Sequence, residues 1–273
     1  MATILVTGGT GTLGRPLVDR LLDDGHGVRS LSRRPHTGTA RPRPRSYAVD
    51  LRDGTGLAEA VAGVDVIVHC ATSPAGGDAE AAGRLVAAAK AAGVRHLVYI
   101  SIVGVDRVPF GYYRAKLAVE RLIEDSGIGW TVLRTTQFHH LVLDVIKAGA
   151  RSPVLPLPTG VRVQPVEVRE VAARLAELAA GEPAGRVTDL GGPEVLDARD
   201  LVRATLEAGG RRRLLLPLWL PGATAAALRR GGNLTPEHAD GRRTYAEFLA
   251  ERAGGGPVGG CGPEADGRVR AGG

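Results

Sequence analysis

The chain has 273 residues, of which 44% are hydrophobic and 23% charged, and its formal net charge is +6. A chain of this length can bury a sizeable core, and these proportions exclude collagen-like, coiled-coil and wholly disordered proteins. Only three of the 35 basic residues are lysine. The excess of arginine indicates a compositional bias, so the basic charge is weak evidence for a nucleic-acid partner.

The N-terminus and the cysteines favour a cytoplasmic protein. The first residues lack the basic segment and the apolar stretch of a secretory signal peptide. Cys70 and Cys261 cannot build a disulfide framework, and we predict that both are free thiols. The longest uncharged run, residues 214–228, is too short and too interrupted by proline to span a membrane. We therefore expect no transmembrane segment.

Short apolar runs alternate with helical patterns through the first 150 residues. Residues 3–7 form a β-branched run that ends in glycines, and residues 13–22 carry apolar side chains at helical spacing. The run 64–68 is mostly apolar, which is typical of a strand covered on both faces. This alternation predicts an α/β fold in which residues 1–150 form a Rossmann-like, doubly wound parallel sheet. Further strands are predicted at 27–32, 45–49, 64–70, 95–100 and 129–134, and further helices near 56–62, 78–92, 112–125 and 137–149.

The pattern changes after about residue 150, where prolines cluster. We predict that residues 151–252 form a smaller C-terminal α/β subdomain that faces the substrate. Residues 253–273 are rich in glycine and poor in large apolar side chains, so we expect a disordered tail. Within the C-terminal part, helices are predicted at 168–180, 198–208, 222–230 and 236–252, and apolar runs lie at 186–190 and 214–220.

The most informative motif is TGGTGTLG at residues 7–14, in which Gly9, Gly11 and Gly14 satisfy G-x-G-x-x-G. The motif follows a predicted strand and opens a predicted helix. In that context glycines make a tight turn, let the backbone approach a pyrophosphate and allow close helix packing. A glycine-rich turn without a ligand is the alternative. The residues predicted to bind a dinucleotide here are Gly8, Gly9, Thr10, Gly11, Thr12, Leu13 and Gly14.

The end of the second strand bears on the choice of dinucleotide. NAD-binding proteins of this fold carry an acidic residue there that binds the ribose 2′-hydroxyl. This chain instead has Arg33 and Arg34, whose guanidinium groups suit a 2′-phosphate. We therefore predict NADP(H) as the preferred cofactor, with NAD(H) as the second choice. A solvated pair of arginines in an arginine-rich chain is the alternative.

Two further positions are predicted to flank the cofactor. Asp50 and Leu51 follow the third strand, where we expect contact with the adenine, and Ala71 follows the fourth strand beside the cofactor crevice. A turn-forming or helix-capping role is the alternative for Asp50.

Four segments together resemble one enzyme superfamily. The chain carries TGGTGTLG at 7–14, YISIVGVD at 99–106, YYRAK at 112–116 and LRTTQFHHLV at 133–142. Over roughly residues 1–250 it resembles the atypical short-chain dehydrogenase/reductases, with the closest likeness to NmrA-like NAD(P)H-binding proteins. The resemblance implies NAD(P)H binding. That branch includes reductases of small organic substrates and redox sensors that bind the nucleotide without turning it over.

The resemblance also implies an active site of Tyr-x-x-x-Lys with an upstream serine or threonine. Tyr112 and Lys116 have this spacing, which places both on one helix face, and Ser101 is the upstream hydroxyl. In the implied mechanism Lys116 bonds the nicotinamide ribose and lowers the tyrosine pKa, while Tyr112 exchanges a proton with the substrate during hydride transfer. Tyr113 is an alternative proton donor. Tyrosines that only pack the helix, beside a lysine that is exposed or binds only ribose, are the other alternative.

A substrate contact is predicted where the helix after the sixth strand begins. Phe138 and His139 are expected to face the crevice at the carboxyl ends of the strands. His140 follows directly, but adjacent helical residues point about 100° apart, and no metal-ligand spacing is present. We predict no metal site.

Two functions are consistent with these features. The first is an NADPH-dependent oxidoreductase that reduces a small carbonyl or quinone-like compound. The alternative is a regulatory or interaction protein that senses NADP(H) without catalysis. An epimerase or dehydratase that uses bound NAD would share the fold, and Arg33 and Arg34 argue against it only through the choice of cofactor. Nucleic-acid binding through the arginines at 41–45 and 211–213 is disfavoured, because no aromatic residues interleave with them. The partner expected from the sequence is a small-molecule substrate, and the oligomeric state is left open.

Overall fold

A computed structural model describes residues 1–33, 43–72 and 76–254. Arg34, Cys261 and the predicted tail from residue 255 onward lie outside the described residues. Within the described ranges, no helix is both long enough and apolar enough to cross a membrane. The same ranges contain no cluster of three or more His, Cys, Asp or Glu side chains arranged to hold a metal ion.

Strands and helices alternate through the first 149 residues, as predicted. The ends of the observed elements differ from the predicted ends by at most two residues. In chain order the elements are β1 (Thr3–Thr7), α1 (Gly14–Asp23), β2 (Gly27–Ser32), β3 (Arg45–Ala48), α2 (Leu57–Val61), β4 (Val66–His69), α3 (Asp78–Ala91), β5 (His96–Ile102), α4 (Gly111–Glu124), β6 (Gly129–Thr135) and α5 (His139–Gly149).

The C-terminal half contains shorter strands and four further helices within the described residues. The predicted helices at 168–180 and 198–208 are confirmed. The two-residue strands of this half are too short to leave a periodic pattern, and the sequence did not predict them. The elements are β7 (Val154–Pro158), β8 (Arg162–Val163), α6 (Val168–Ala180), β9 (Gly185–Arg186), β10 (Leu196–Asp197), α7 (Ala198–Ala208), β11 (Leu214–Leu218), α8 (Ala223–Arg229), a 3-10 turn (Pro236–His238) and α9 (Tyr245–Gly254).

The predicted helix at 236–252 is wrong in its first half. The chain makes the 3-10 turn and then an extended segment before α9 begins. Gly241 donates its N–H to the carbonyl of Gly191, which holds this segment against a distant loop. Thr244 and Glu247 then exchange hydrogen bonds in a capping box, since Thr244 N donates to the Glu247 carboxylate and Glu247 N donates to Thr244 Oγ1. The helix therefore begins at the cap.

The central sheet has the order β3-β2-β1-β4-β5-β6-β9, and every neighbouring pair is parallel. The order of its first six strands is that of a doubly wound dinucleotide-binding fold, which confirms the predicted Rossmann-like class. The strand order reverses between β1 and β4. A crevice forms at the carboxyl ends of the strands at such a point.

Both faces of the sheet are buried. Ile4 and Val6 of β1 point into a core formed with α1 and α6, whereas Leu5 points into a second core formed with α2, α3 and α4. This alternation explains why the strands contain mostly apolar residues rather than an apolar and polar alternation. A third cluster joins α5, α7 and α9 to the parallel pair β7 and β11.

The part of the chain after residue 150 contributes to the central sheet. Helix α6 packs in the same core as α1, and β9 pairs with β6 at the sheet edge. The division into a core at 1–150 and a substrate-facing part at 151–252 stays a prediction.

A buried ion pair attaches α4 to the sheet. The Arg134 guanidinium on β6 donates two hydrogen bonds to the Glu120 carboxylate of α4, at 2.9 and 2.6 Å. A third bond reaches Asp106 at 2.7 Å. Bidentate arginine–carboxylate pairs fix geometry as well as charge. This pair therefore fixes the position of the helix that carries Tyr112 and Lys116.

Candidate functional site at the carboxyl ends of the strands

A cleft of about 1250 Å³ opens where the central strands end. It extends from the glycine loop after β1, past the end of β4, to the first turns of α4 and α5. Two of the predicted site residues that the structure describes, Gly9 and His139, do not line it. Those that do are Gly8, Thr10, Gly11, Thr12, Leu13, Gly14, Arg33, Asp50, Leu51, Ala71, Ser101, Tyr112, Lys116 and Phe138.

The glycine loop needs its glycines for steric reasons. Gly8 has a φ of +69°, in the left-handed region that glycine tolerates. Its N–H donates to Leu31 O of β2 at 2.8 Å, and its carbonyl accepts from Gly11 N at 2.8 Å. A Cβ on Gly14 would lie 2.1 Å from Gly8 O, so no other residue fits there without opening the turn.

Gly9 packs the loop against the neighbouring strand. A Cβ on Gly9 would lie 2.3 Å from Ser30 Oγ, on the side of the loop that packs against β2. The residue is buried and lies outside the cleft lining. Gly9 therefore permits close packing of the loop on β2, and its predicted contact with the cofactor stays a prediction.

The start of α1 is suited to an anion. No side chain caps the helix, and its first turn contains no acidic residue. The N-terminal N–H groups of a helix carry a partial positive charge and attract phosphate. Together with the close approach of Gly8 and Gly14, these features fit the pyrophosphate of a dinucleotide.

The cleft also extends from the glycine loop to the end of β2 and the segment after β3. Arg33 lines the cleft and is exposed, as an arginine that binds a ligand phosphate would be. Asp50 also lines the cleft, while its Oδ1 accepts a hydrogen bond from Arg52 N at 2.9 Å. Asp50 thus forms a turn, which was the alternative for this residue, and remains accessible to a ligand. Leu51 is buried beside it.

The segment after β4 is held to β1 by Thr7. Thr7 Oγ1 lies 2.7 Å from His69 Nδ1 and accepts hydrogen bonds from the N–H groups of Cys70 and Ala71, both at 3.2 Å. Burial, reinforced by the charge of Lys116, lowers the pKa of His69 to about 3. Burial raises the pKa of the free Cys70 thiol to about 12 against the opposing charge of Lys116. Neither side chain therefore carries a charge at neutral pH.

Lys116 is buried at the base of the cleft. Its Nζ donates to Ile100 O at 3.4 Å and lies 4.9 Å from the centre of the Tyr99 ring. Burial lowers the pKa of Lys116 to about 8, although the nearby Asp78 carboxylate acts in the opposite direction. The ammonium form therefore dominates at neutral pH.

Tyr112 and Ser101 lie in the same part of the cleft. The Tyr112 ring is 6.0 Å from Lys116 Nζ, and its hydroxyl lies 3.2 Å from Thr72 Oγ1. Burial raises the pKa of Tyr112, opposed by the hydrogen bond to Thr72. The Ser101 hydroxyl is buried and has no hydrogen-bond partner among the described residues. Because such an oxygen loses solvation without compensation, it fits a ligand group that bonds to it.

Tyr113 lines the same cleft but has contacts that differ from those of Tyr112. Its hydroxyl accepts a hydrogen bond from Gln137 Nε2 at 3.2 Å, and its ring packs edge-on against Phe110. Tyr113 is buried in a small apolar cluster with Val108, and the half-buried Tyr112 packs against the same cluster. The two tyrosines thus differ in their hydroxyl partners, which are Thr72 for Tyr112 and Gln137 for Tyr113.

The predicted substrate contact at His139 is corrected. The His139 ring is fully buried, and its Nε2 lies 3.1 Å from Pro165 O. It packs against Tyr245 and Phe248 of α9. The next residue, His140, lines the cleft together with Phe138. Adjacent helical residues point in different directions, and packing against α9 directs His139 inward.

The buried side of His139 meets Glu167, which caps α6. The Glu167 carboxylate accepts hydrogen bonds from Arg169 N at 3.2 Å and from Arg243 at 2.8 Å. Burial disfavours its charge, but the His139 ring, the Arg169 N–H and the Arg243 guanidinium together lower the pKa of Glu167 to about 2. Its ionised form is therefore more stable in the folded protein than in the unfolded chain.

Replacing Glu167 with glutamine should lower the free energy of unfolding at pH 7 by about 2 kcal/mol, since charged hydrogen bonds are lost. The folded pKa is lowered from 4.5, so the contribution is present above pH 4.5 and disappears as the pH falls toward 2. Urea unfolding at pH 7 and pH 3 should therefore show a smaller difference between the two proteins at pH 3. Glu251→Gln, at an exposed partner of Arg243, is the matched control and should cost less than 1 kcal/mol. An equal deficit at both pH values would contradict this account.

Several residues that line the cleft were not predicted from the sequence. Thr72 and Asp78 follow β4, where the crevice rule could have indicated them. Thr224 and Leu228 come from α8, and no local signal in the sequence places that helix over the cleft. The remaining unpredicted lining residues include Leu31, Ser32, Val49, Arg52, Ile102, Val108, Phe110, Gln137, Leu141 and Asp144.

Comparison with known proteins supports the interpretation of the glycine loop and the parallel sheet as parts of a dinucleotide-binding fold. A family profile described as NAD(P)H-binding matches residues 8–153, which include the glycine loop from Gly8 onward and the Tyr112–Lys116 helix. The chain belongs to this NAD(P)H-binding family. The predicted membership of an NAD(P)H-binding family is thereby confirmed, and the finer placement among the atypical short-chain dehydrogenase/reductases of NmrA-like type stays a prediction.

One relative and two solved structures of similar fold can be compared with this NAD(P)H-binding protein. The (4-alkanoyl-5-oxo-2,5-dihydrofuran-3-yl)methyl phosphate reductase of Streptomyces griseus is 36% identical over 207 residues, which cover 72% of this chain and 70% of that protein. An NADPH-dependent quinone oxidoreductase of Escherichia coli, solved with NADPH, has a TM-score of 0.77 at 22% identity and covers 91% of this chain and 99% of its own. The UDP-glucose 4-epimerase of Thermus thermophilus, solved with NAD, has a TM-score of 0.65 at 22% identity, covering 88% and 99%.

Proposed function

We propose that the protein is a cytoplasmic NADPH-dependent reductase of a small apolar carbonyl or quinone-like compound. The observation that carries the proposal is that the glycine loop and the Tyr112–Lys116 pair line one continuous cleft. A dinucleotide bound to the loop has its nicotinamide end free to extend toward that pair. The proposal also agrees with the activities of the reductase from Streptomyces griseus and the quinone oxidoreductase from Escherichia coli.

The residues of the cleft divide into three binding roles. We assign the glycine loop and the start of α1 to the pyrophosphate, Arg33 and Arg34 to a ribose 2′-phosphate, and Lys116 to the nicotinamide ribose. Arg34 lies outside the described residues, so its part rests on the sequence alone. Asp50, Leu51 and Ala71 are assigned to the adenosine and the middle of the dinucleotide.

The reduction needs a hydride and a proton, and NADPH supplies the hydride when bound. We assign the proton to Tyr112, because this residue is half-buried in the cleft and its ring lies 6.0 Å from Lys116 Nζ. Burial raises the pKa of Tyr112, which keeps its proton in place until a substrate oxygen gains negative charge. The Ser101 hydroxyl, which has no partner among the described residues, is assigned to bind the same substrate oxygen.

The walls of the cleft beyond Tyr112 favour an apolar substrate. Phe110 and Leu141 lie at the rim with about half of their surfaces exposed, and Ile102 and Leu228 lie further in. An apolar ligand would cover these side chains and gain about 25 cal/mol per Å² of buried apolar surface. Asp144 and His140 provide polar contacts near the same rim.

Arg33 provides a test of the dinucleotide preference. Replacing Arg33 with alanine should raise the Kd for NADPH about tenfold, because a charge-assisted hydrogen bond to a phosphate contributes on the order of 1.5 kcal/mol. The Kd for NADH should stay within a factor of about two, since NADH lacks the 2′-phosphate. Isothermal titration calorimetry with both nucleotides checks this result. The matched control is Arg203→Ala on the exposed face of α7, away from the cleft. An equal loss of affinity for both nucleotides would refute a 2′-phosphate contact.

The reaction itself is tested by following NADPH oxidation at 340 nm with a panel of small ketones, aldehydes, quinones and the butenolide phosphate named in the Streptomyces relative. Turnover with at least one compound supports the reductase. Tight NADPH binding without turnover on the whole panel would instead support the nucleotide-sensing alternative. Product analysis by mass spectrometry should show the gain of two hydrogen atoms.

A further inference from the structure

Three side chains form a hydrogen-bonded chain that ends at the proposed proton donor. The Thr72 hydroxyl donates to Asp78 Oδ2 at 2.6 Å, and the Tyr112 hydroxyl lies 3.2 Å from Thr72 Oγ1. Thr72 follows β4, Asp78 occupies the first turn of α3, and Tyr112 lies in the first turn of α4. All three line the cleft. Three separate elements thus converge on one hydroxyl.

The direction of donation follows from the number of hydrogens. An ionised carboxylate only accepts, so the single hydroxyl hydrogen of Thr72 is directed to Asp78. Thr72 Oγ1 is then left as an acceptor, and Tyr112 donates to it. Asp78 therefore fixes the orientation of the Tyr112 O–H bond through Thr72.

Asp78 is the acidic group best placed to influence the pair. It is buried, with 8% of its surface exposed. Its negative charge raises the pKa of Tyr112 beyond the effect of burial and opposes the burial that lowers the pKa of Lys116. Both effects favour the protonated forms, which a reductase needs before the chemical step. The other titratable groups around the two side chains are His69, Cys70, Tyr99, Tyr113 and Glu120.

We propose that Thr72 and Asp78 are positioning residues of this site, which orient the Tyr112 hydroxyl, hold its proton and return a proton to it after each turnover. The proposal rests on the reductase function described above. Neither residue bonds the substrate in this scheme, and both act through Tyr112.

The proton balance has three linked steps. First, the proton of the Tyr112 hydroxyl passes to the substrate oxygen. The Tyr112 O–H bond breaks, and Tyr112 is left as a phenolate. The Thr72 O–H bond then breaks as the Tyr112 O–H bond re-forms, and a proton taken up from water by the Asp78 carboxylate restores the Thr72 hydroxyl. One proton leaves the solvent for each substrate molecule reduced, and the three side chains end in their starting state.

Two variants should move the titration of Tyr112 in opposite directions. Asp78→Asn removes the negative charge, so the pKa of Tyr112 should fall. Once Tyr112 loses its proton, the Thr72 hydroxyl can turn from Asp78 and donate to the phenolate. Thr72→Val removes this donor, so the pKa of Tyr112 should rise. The readout is the pH dependence of the ¹³Cζ signal of Tyr112 in the protein without nucleotide, assigned with Tyr112→Phe. Glu80→Gln, an exposed acidic residue in the same turn of α3, is the matched control and should leave the signal unchanged.

Activity provides the second readout. Thr72→Val should lower kcat for NADPH oxidation about tenfold or more with little change in KM, because proton return slows while binding persists. Thr72→Ser keeps the hydroxyl and should restore most of kcat. Opposite titration shifts together with rescue by serine would support the proposal.

Unchanged titration of Tyr112, shifts in the same direction, or failure of serine to restore kcat would overturn it. If Asp78→Asn does not fold, the valine and serine variants at Thr72 still decide the outcome. If the wild-type protein shows no turnover, the reductase function and the proton-return step fail together. The titration of Tyr112 then decides separately whether the hydrogen-bonded chain exists.

Discussion

Replacing Tyr112 with phenylalanine should lower kcat about 100- to 10,000-fold, the range typical of losing a positioned general acid. The variant removes one oxygen and keeps the ring that packs near Lys116. Binding of NADPH should therefore change little, and the loss should appear in kcat rather than in KM. Steady-state kinetics at 340 nm with the best substrate of the panel measures this effect.

Tyr113→Phe is the matched control for this experiment. The two tyrosines are adjacent, but the Tyr113 hydroxyl is bonded by Gln137 and its ring belongs to an apolar cluster. Its removal should cost a hydrogen bond and leave most of kcat intact. A large loss in Tyr113→Phe with a small loss in Tyr112→Phe would reverse the assignment of the proton donor.

The second large effect is expected at the glycine loop. Gly14→Ala should raise the Kd for NADPH by about 100-fold or more, equivalent to roughly 2.7 kcal/mol, because the added Cβ would lie 2.1 Å from Gly8 O. The turn would have to open, and its N–H groups would lose their alignment toward the pyrophosphate. Fluorescence titration with NADPH measures the change, and circular dichroism reports whether the fold is retained.

The control for the glycine loop is Gly83→Ala in α3. A Cβ there would make an ordinary contact of 3.7 Å with Leu122, so affinity should be unchanged and stability unchanged or slightly higher. Unaltered NADPH binding in a folded Gly14→Ala protein would contradict the assignment of the loop to the pyrophosphate.

The sequence predicted those parts of the fold in which local pattern and global fold agree. Apolar runs on both faces of the sheet, the glycine motif between β1 and α1, and the helix at Tyr112 each carry a local signal that survives folding. Rossmann-like topology follows from the alternation alone. The same argument led to a cleft at the carboxyl ends of the strands, where most of the proposed residues are found.

Prediction from the sequence failed where contacts between distant segments of the chain determine the orientation of a side chain. His139 points inward because α9, about 100 residues later in the chain, places Tyr245 and Phe248 against its ring. Gly9 serves packing because Ser30 of the next strand lies behind it. Neither contact has a signature in the local pattern, and the same is true of α8 over the cleft.

The most direct test of the account is titration of the protein with NADPH and with NADH, in which binding is monitored by intrinsic protein fluorescence or by nucleotide fluorescence. The account predicts saturable binding of one molecule per chain, with tighter binding of NADPH and a marked loss of affinity in Gly14→Ala. Absence of binding of either nucleotide to folded protein would contradict the assignment of the cleft, and with it the proposed reductase.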